Sequence, residues 1–404
     1  MLDYILIFWY NYFEYGNCDY MKKIYIFIVL LLVLCFISFY FFFNREKSFS
    51  MVMAGDALIT DSILKDAYVK STNNYQFSKM FKYVYEYIKD YDLRYYNQET
   101  PISGNSLGYS GIICYNTPSN FAIDMMNMGF NMISLATNHV MDGRLVIKNE
   151  NDYYCDKNEE GIINNINFFK RFDKVYTSGI YDSNEDRDRI VIKKKNGISY
   201  TFLNYTYGTN MDGIIDYDPY LVNIYSNEKA KQDIEKVRDK VDVIFVAMHW
   251  GEENNPIPTE EQKKIASYLS KLGVNVIIGT HPHVVQPIEW IDNTLVIYSL
   301  GNLITAQSEE YDYSRLVGMM VDLKISKKGN KIIISNPRCE LTYSYFNVVN
   351  NRKTNFEVIP YSYMKEGNSK YLRLYEKVSK IIRLYDKSIE INKLGTKSVD
   401  TEIN

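Results

Sequence analysis

The sequence predicts an α/β fold, because short apolar runs rich in β-branched residues alternate with amphipathic helical segments. The runs predicted as strands cover residues 51–54, 132–136, 200–205, 241–248, 274–278 and 295–300. One helical face between them is marked by Phe77, Phe81, Val84 and Ile88. Polar residues follow the predicted strands directly, at the position where open α/β sheets carry their binding crevices.

Two of the predicted helices have clear end signals. Thr117 and Pro118 predict a capped helix start with a proline in the first turn, and Gly129 predicts the end of that helix. Thr259 and Gln262 form a predicted capping box ahead of a second helix.

The composition excludes several classes of protein. Of the 404 residues, 46% are hydrophobic and 24% are charged, which is typical of a folded globular protein. The formal net charge of −3 lacks the basic excess that nucleic-acid binding requires. The sequence contains neither a GxxxxGK[ST] loop nor a GxSxG motif, which argues against ATP-dependent ligation by this chain alone and against serine hydrolysis.

An uninterrupted apolar run of about 20 residues, 24–43, is long enough to cross a membrane. Lys22 and Lys23 precede it and no small-residue cleavage site follows, so residues 21–47 are predicted to form an uncleaved transmembrane anchor. The positive residues on its two sides balance, so they do not set its orientation. Residues 1–20 fit no targeting pattern, and one hypothesis is that Met21 is the true start. We expect a main domain over 48–346 and an extension over 347–404 that packs on it and ends in a disordered tail.

The five cysteines predict neither a zinc knuckle nor a disulfide framework. Cys18 and Cys35 lie in or before the apolar run, whereas Cys114, Cys155 and Cys339 are an odd, widely spaced set without a CxxC pair.

All four histidines of the chain follow predicted strands, beside carboxylate and amide side chains. A single aspartate after a strand is usually a turn or a helix cap, and an isolated histidine is usually a satisfied polar group. The joint pattern favours a metal site, because the carboxyl ends of the strands meet at one crevice. The side chains that could ligate it are those of Asp56, Glu99, Asn138 and the histidines, with His281-Pro282-His283 as the clearest signal.

This mixed set of nitrogen and oxygen donors suits two borderline divalent ions, such as Mn, Fe or Zn. Two such ions would clamp a phosphoryl group or a similar oxyanion and activate water. Either Asp56 or Glu99 could bridge them. His139 is predicted to be a general acid, with Asp142 as its orienting partner.

Six short blocks resemble the bacterial capsule-synthesis CapA family, which is linked to poly-γ-glutamate capsules and is similar to calcineurin-like metallophosphatases. They are GD at 55–56, NQE at 97–99, NHVMD at 138–142, HWG at 249–251, GTHPH at 279–283 and YSLGN at 298–302. The resemblance runs from 51 to about 346. It implies a four-layer α-β-β-α sandwich and a membrane-anchored domain facing outward. By the same resemblance His139 matches the acid position, and the predicted metal ligands are Asp56, Glu99, Asn138, His249, His281 and His283. Leu58 and Thr60 depart from the family pattern, since they stand where metallophosphatases or some relatives carry a histidine.

Two classes of function remain open. The first is a membrane-anchored metallohydrolase that acts on an envelope polymer at phosphoester or amide-type bonds. The second is a non-enzymatic accessory protein that binds or exports an anionic polymer such as poly-γ-glutamate. His139 favours the first, because a binding scaffold has little use for a general acid. Expected partners are the membrane, an anionic envelope polymer and other capsule-synthesis membrane proteins, with no nucleic acid.

Overall fold

A computed structural model describes the protein over residues 18–43, 46–149, 152–156, 159–210, 218–307, 314–364 and 369–397. Residues 1–17 of the predicted N-terminal extension and residues 398–404 of the predicted tail lie outside this description. The chain divides into two units. The smaller comprises Met1–Lys47 with Lys327–Lys331, and the larger comprises Ser48–Ser326 with Ile332–Asn404.

The smaller unit contains helix α1, Cys18–Phe43, which coincides with the predicted apolar segment. Its described side chains, from Lys22 to Phe36, are exposed. Within the part of the chain that the structure describes, no helix combines the length and the apolar character that a membrane crossing needs. The transmembrane anchor predicted for 21–47 is not confirmed.

The described strands and helices alternate along much of the chain. The strands are β1 (Lys47–Ala57), β2 (Tyr68–Val69), β3 (Asn74–Tyr75), β4 (Leu93–Asn97), β5 (Met132–Ser134), β6 (Arg144–Asn149), β7 (Asp152–Asp156), β8 (Tyr176–Ser178), β9 (Ile192–Lys195), β10 (Ile198–Thr206), β11 (Val243–His249), β12 (Val276–Thr280), β13 (Ile288–Ile291), β14 (Thr294–Ile297), β15 (Asn302–Ile304), β16 (Val317–Lys328), β17 (Lys331–Val349), β18 (Arg352–Pro360) and β19 (Glu390–Ile391). The remaining α-helices are α2 (Asp61–Ala67), α3 (Lys82–Ile88), α4 (Ser119–Asn127), α5 (Glu160–Phe169), α6 (Asn184–Asp188), α7 (Asn227–Val237), α8 (Glu260–Lys271) and α9 (Ser369–Ile382).

Two mixed sheets organise these elements, which confirms the predicted α/β class. The first has the order β18-β17-β16-β1-β4-β5-β8, with β15 beside β1 and β19 beside β17. The second has the order β13-β14-β12-β11-β10-β9. Strands β1, β4, β5 and β8 pair in parallel, as do β10, β11, β12 and β14. The predicted domain boundary at 346 falls inside β17.

The two sheets lie face to face, as the alternation of buried side chains shows. Met51 and Met53 of β1 join the same apolar cluster as Tyr200 and Phe202 of β10. Val52 of β1 and Leu203 of β10 point to the opposite faces, where they join two other apolar clusters. Helices α2 to α5 bury side chains in the outer cluster of the first sheet, and α7 and α8 do so on the second. Helices therefore cover both outer faces.

The capping box predicted for α8 is confirmed, whereas the cap predicted for α4 is wrong. The Thr259 hydroxyl accepts the Gln262 N–H at 3.2 Å, and the Gln262 side chain accepts the Thr259 N–H at 2.9 Å. In α4 the N-cap is Pro118, which has no side-chain oxygen. The Thr117 hydroxyl donates instead to the buried hydroxyl of Thr100 at 2.8 Å. A tertiary contact thus replaces the local cap.

The strand predicted over 132–136 ends early, at Ser134. The N–H groups of Leu135 and Ala136 donate to the side-chain oxygen of Asn204, at 2.9 and 2.7 Å. The Leu135 N–H also donates to the Ser178 oxygen of β8 at 3.0 Å, so the Asn204 amide of β10 replaces a partner from the first sheet only from Ala136 onward, where the polar residues begin.

One disulfide bond joins two of the cysteines, contrary to the expectation from the sequence. Cys114 pairs with Cys155 over a separation of 41 residues, with their Cα atoms 5.2 Å apart. Cys155 lies in β7 and is brought beside Cys114 by the β6–β7 hairpin. Cys339 is buried and free.

Candidate metal centre

The polar residues gather where strands of both sheets end. Asp56 stands in register with Asn97 of β4 and with Asn302 of β15. In the second sheet His249, at the end of β11, stands in register with Thr280, at the end of β12. Each sheet therefore supplies one row of polar side chains to the centre.

Every predicted ligand is buried, although each is polar or ionisable. The exposed fractions are 0% for Asp56, Glu99 and His249, 2% for Asn138, 3% for His283 and 4% for His281. Burial of so many polar groups is costly unless each has a partner, which makes their hydrogen bonds informative.

Asp56, Glu99 and His283 form a group that could hold a metal ion, since one donor atom from each lies within 4.8 Å of the other two. The Glu99 Oε1 atom is 3.4 Å from His283 Nε2, and Asp56 Oδ2 is 3.8 Å from His283 Nδ1. Neither Glu99 oxygen has a hydrogen-bond partner among the described residues. A buried carboxylate that accepts nothing is destabilising alone, and a cation is the partner that fits it.

The electrostatics of the carboxylates support the same conclusion. Burial raises the pKa of Asp56 to about 7, although hydrogen bonds from the His281 N–H at 3.1 Å and the Asn97 amide at 2.7 Å favour its charged form. Burial also raises the pKa of Glu99 well above its usual range, and the Asp56 charge adds to this. Two carboxylates this close resist ionising together unless a positive charge joins them.

Burial lowers the pKa values of the three buried histidines. Their rings therefore carry no positive charge that could neutralise the carboxylates. Burial lowers the pKa of His283 to about 3 and that of His281 to about 4. It also lowers the pKa of His249 well below its usual range. All three rings are thus neutral at physiological pH, which is the form that binds a metal ion.

Asn302 fixes which nitrogen of His283 is free. Its amide nitrogen donates to the backbone oxygens of His283 and Arg315, so its oxygen is left as the acceptor. The His283 Nδ1 atom lies 3.0 Å from that oxygen and must carry the proton. The lone pair is then on Nε2, the nitrogen that faces Glu99. Orientation of a ligand by its other ring nitrogen is typical of metal sites.

A second pair of donors lies on the other side of the centre. His249 Nε2 is 2.9 Å from the side-chain oxygen of Asn138, and His249 Nδ1 is 3.0 Å from the Thr280 hydroxyl. The ring centroids of His249 and His281 are 4.8 Å apart. His281 Nδ1 is buried and has no hydrogen-bond partner among the described residues. The structure thus brings all six predicted ligands into one region.

The His281-Pro282-His283 turn has a strained backbone. His281 and His283 have φ angles of +96° and +60°, a region that residues other than glycine rarely enter. The turn is held by the His281 N–H on Asp56 and by the Asn254 N–H, which donates to the Pro282 oxygen at 2.8 Å. Such strain persists where surrounding contacts hold it, and it is concentrated at functional sites.

Two glycines allow the strands to approach closely here. A Cβ atom on Gly55 would lie 1.8 Å from the Gly301 oxygen, and one on Gly279 would lie 1.9 Å from the Tyr298 oxygen. Any side chain at either position would push apart the strand ends that carry Asp56 and Thr280.

His139 and Asp142 form a separate pair at the edge of the centre. His139 Nδ1 is 2.9 Å from Asp142 Oδ2, and the His139 side chain keeps 13% of its surface exposed. The Tyr115 ring meets the His139 ring edge-on with centroids 4.7 Å apart, and the Tyr115 N–H donates to the same Asp142 oxygen at 2.8 Å. A carboxylate that accepts from Nδ1 leaves the His139 Nε2 atom available for proton transfer.

The sequence prediction missed the residues that orient the ligands. Asn97, Thr280 and Asn302 lie inside the NQE, GTHPH and YSLGN blocks but were assigned no role there. Tyr115 and Tyr207 lie outside the blocks, and the Tyr207 ring contacts the His281 ring with centroids 4.8 Å apart. Membership of a block is a usable signal for the first three, whereas only the fold reveals the tyrosines.

A family model described as "Bacterial capsule synthesis protein PGA_cap" matches residues 50–307, which is more than half of the chain and contains all the site residues. The chain belongs to this family. The membership confirms the resemblance to CapA proteins of capsule synthesis. The match begins at β1 and ends just after β15.

Two curated relatives of this PGA_cap chain carry the CapA name. The "PGA biosynthesis protein CapA" of Bacillus subtilis (strain 168) is 26% identical over 191 residues, which cover 45% of this chain and 44% of that protein. The "Capsule biosynthesis protein CapA" of Bacillus anthracis is 26% identical over 274 residues, covering 65% of this chain and 61% of that protein. The match thus spans less than two thirds of either relative.

Among solved structures, the PGA_cap chain is similar to a Staphylococcus aureus protein provisionally named 5'-nucleotidase and solved with alpha-ketoglutarate. The two chains are 16% identical with a TM-score of 0.44, over 82% of this chain and 58% of that one.

Proposed function

We propose that this chain is a metal-dependent hydrolase of capsule biosynthesis that acts on an anionic envelope polymer. The observation that carries the proposal is the buried group of Asp56, Glu99 and His283, with its unpartnered Glu99 oxygens, beside the His139–Asp142 pair. The resemblance to CapA proteins linked to poly-γ-glutamate capsules supports that polymer as the substrate, and the Bacillus subtilis relative is named a "PGA biosynthesis protein".

The residues fit a centre of two divalent ions. Asp56, Glu99 and His283 would hold one ion, and we assign Asn138, His249 and His281 as candidate ligands of the second. Bound ions of the Mn, Fe or Zn type supply Lewis-acid polarisation of a substrate oxygen and activation of water. Nitrogen, carboxylate and amide donors in one site suit such ions better than they suit Ca or Mg.

The chain itself supplies proton transfer and orientation. His139 donates a proton from Nε2 to the leaving group, while Asp142 holds its Nδ1–H and stabilises the charged ring. Tyr115 and Tyr207 lie against His139 and His281 and limit the access of water to those rings. This proton-transfer pair favours an enzyme over an accessory protein that only binds or exports polymer.

We further propose that the chain is attached to the cell membrane through 21–47, with its main domain outside the cytoplasm and near other capsule-synthesis membrane proteins. The Cys114–Cys155 disulfide supports this location, because such bonds persist in oxidising compartments and are rare in the cytosol. The near-neutral charge gives no support for a nucleic-acid partner.

Metal analysis tests the proposed centre. The full-length chain, purified gently and assayed by plasma mass spectrometry, is expected to contain about two divalent ions. Glu99→Gln keeps the shape of the side chain but removes its charge, so it should contain fewer. The same samples are then assayed on phosphodiesters and γ-glutamyl polymers. A stoichiometry near zero, with no uptake on adding Mn or Zn, would contradict the metal centre.

Reporter fusions test the location. Alkaline phosphatase, which is active only outside the cytoplasm, is fused to the C-terminus, and a cytoplasmic fluorescent protein is fused at the same position as the control. We expect activity from the phosphatase fusion and none from the fluorescent one. The reverse result would place the domain in the cytoplasm.

A further inference from the structure

We infer that the Cys114–Cys155 disulfide and Tyr115 act together as positioning residues for His139. The inference rests on the proposed function, since it assigns His139 its role as a proton donor. The disulfide lies beside one contact to Asp142 and one contact to the next residue, Gly143, and Asp142 in turn holds His139.

The first contact comes from the Cys114 side. Tyr115, the next residue, donates its N–H to Asp142 Oδ2 at 2.8 Å and places its ring against the His139 ring. Ile113, the preceding residue, has a φ of +56°, which is unfavourable for a β-branched side chain and needs to be held by its surroundings. The disulfide at the buried Cys114 is the covalent restraint next to this strained residue.

The second contact comes from the Cys155 side. The N–H of Gly143, the residue after Asp142, lies 3.4 Å from the Cys155 sulfur. Strand β6 starts at Arg144 and pairs with β7, so Leu145 stands opposite Cys155. The Cys155 sulfur therefore contacts the segment that carries Asp142 directly, and the Ser103 hydroxyl also holds this segment by donating to the Asp142 backbone oxygen at 3.2 Å.

Hydrogen bonds, in addition to the disulfide, also hold the fold around this arrangement. The loop that carries Cys114 is closed at its base by paired backbone hydrogen bonds between Ser110 and Asn116, at 3.1 and 2.8 Å. The Asn116 side chain donates to the oxygens of Gly104 and Gly108. Loss of the disulfide should then release the tip of the loop, with Tyr115, while the base stays folded.

The metal ligands should be unaffected, because none of Asp56, Glu99 and His283 contacts the disulfide. The effect of its loss should be confined to proton donation. A misplaced proton donor matters most when the leaving group is poor, since a good leaving group departs without a proton. The expected signature is a loss of turnover that grows with the basicity of the leaving group.

The test compares the Cys114→Ser/Cys155→Ser double variant with wild type and with Cys339→Ser, which removes a buried cysteine that is not in a disulfide. Since the chain has only four histidines, ¹⁵N-histidine NMR resolves each ring, and a His139→Gln sample identifies the His139 signal. In the double variant we expect the hydrogen-bonded Nδ1–H signal of His139 to be lost while metal content stays at the wild-type value. Cys339→Ser should match wild type in both the His139 signal and the metal content.

Kinetics provide the second measurement. On substrates with alkyl leaving groups, the kcat of the double variant should fall by up to about 100-fold with KM little changed. On substrates with a p-nitrophenyl leaving group, kcat should be nearly unchanged. Tyr115→Ala, which keeps both cysteines, should show the same pattern more weakly. An unchanged His139 signal, or an equal loss on both substrate classes, would overturn the inference. If wild type hydrolyses nothing, the proposed function fails, and the NMR signal still decides whether the disulfide positions His139.

Discussion

His283→Ala is expected to reduce bound metal from about two ions per chain to near zero and to abolish turnover. His283 is the member of the buried group that faces both carboxylates, at 3.4 Å from Glu99 and 3.8 Å from Asp56. Without its ring, the group loses its neutral metal ligand, and water can enter the space beside the two carboxylates. Metal content per chain and the shift of the melting temperature on adding Mn measure the effect.

Asn302→Ala is the graded control for that variant. This variant keeps the His283 side chain but removes the Asn302 oxygen that accepts its Nδ1–H. Loss of such an orienting partner typically weakens metal affinity by about 10–100-fold without abolishing it. Should His283→Ala retain wild-type metal content, the assignment of His283 as a ligand would have to be abandoned.

His139→Ala is expected to lower turnover by about 10²–10⁴-fold while metal content stays near that of wild type. The reason is its position: it pairs with Asp142, keeps part of its surface exposed and makes no contact with Asp56, Glu99 or His283. Steady-state kinetics and metal analysis on the same sample measure the two effects separately. His281→Ala is the matched comparison, and it should lose both metal and activity.

The same variant distinguishes an enzyme from an accessory protein. An accessory protein that binds or exports polymer would support capsule formation equally well with alanine at 139, provided that the chain folds. If His139 only stabilises the turn after β5, His139→Ala should lower the melting temperature modestly and leave turnover unchanged. A variant equal to wild type in every assay would end the catalytic assignment and leave only the metal centre.

Much of the fold could be predicted because its strands are buried on both faces and therefore read as continuous apolar runs. The β11 and β12 runs are examples, and the capping box of α8 is equally local. The errors have a common cause. The side chain of Asn204 accepts the Ala136 N–H just after β5, and Thr100 takes the hydroxyl of Thr117, so in both cases a residue distant in sequence overrides a local signal.

The site was predictable to a similar extent. Strand ends converge in any open α/β sheet, which is why Asp56, Glu99 and His283 could be expected together from their positions alone. The orienting residues could not be predicted, because an asparagine such as Asn302 has many ordinary uses in a turn. The disulfide was missed for the same reason, since a separation of 41 residues carries no local signal.

The strand ends that build the centre lie far apart in sequence, from Asp56 to Asn302, and belong to two sheets. Contacts of such long range form late in folding, because the chain entropy of closing large loops is lost before the contacts stabilise the structure. A partly folded chain with one sheet complete would have only some of the donors and little metal affinity. Bound metal would then stabilise only the finished protein, so it would slow unfolding without accelerating folding. The lifetime of the folded protein would therefore depend on metal supply, whereas its rate of maturation would not.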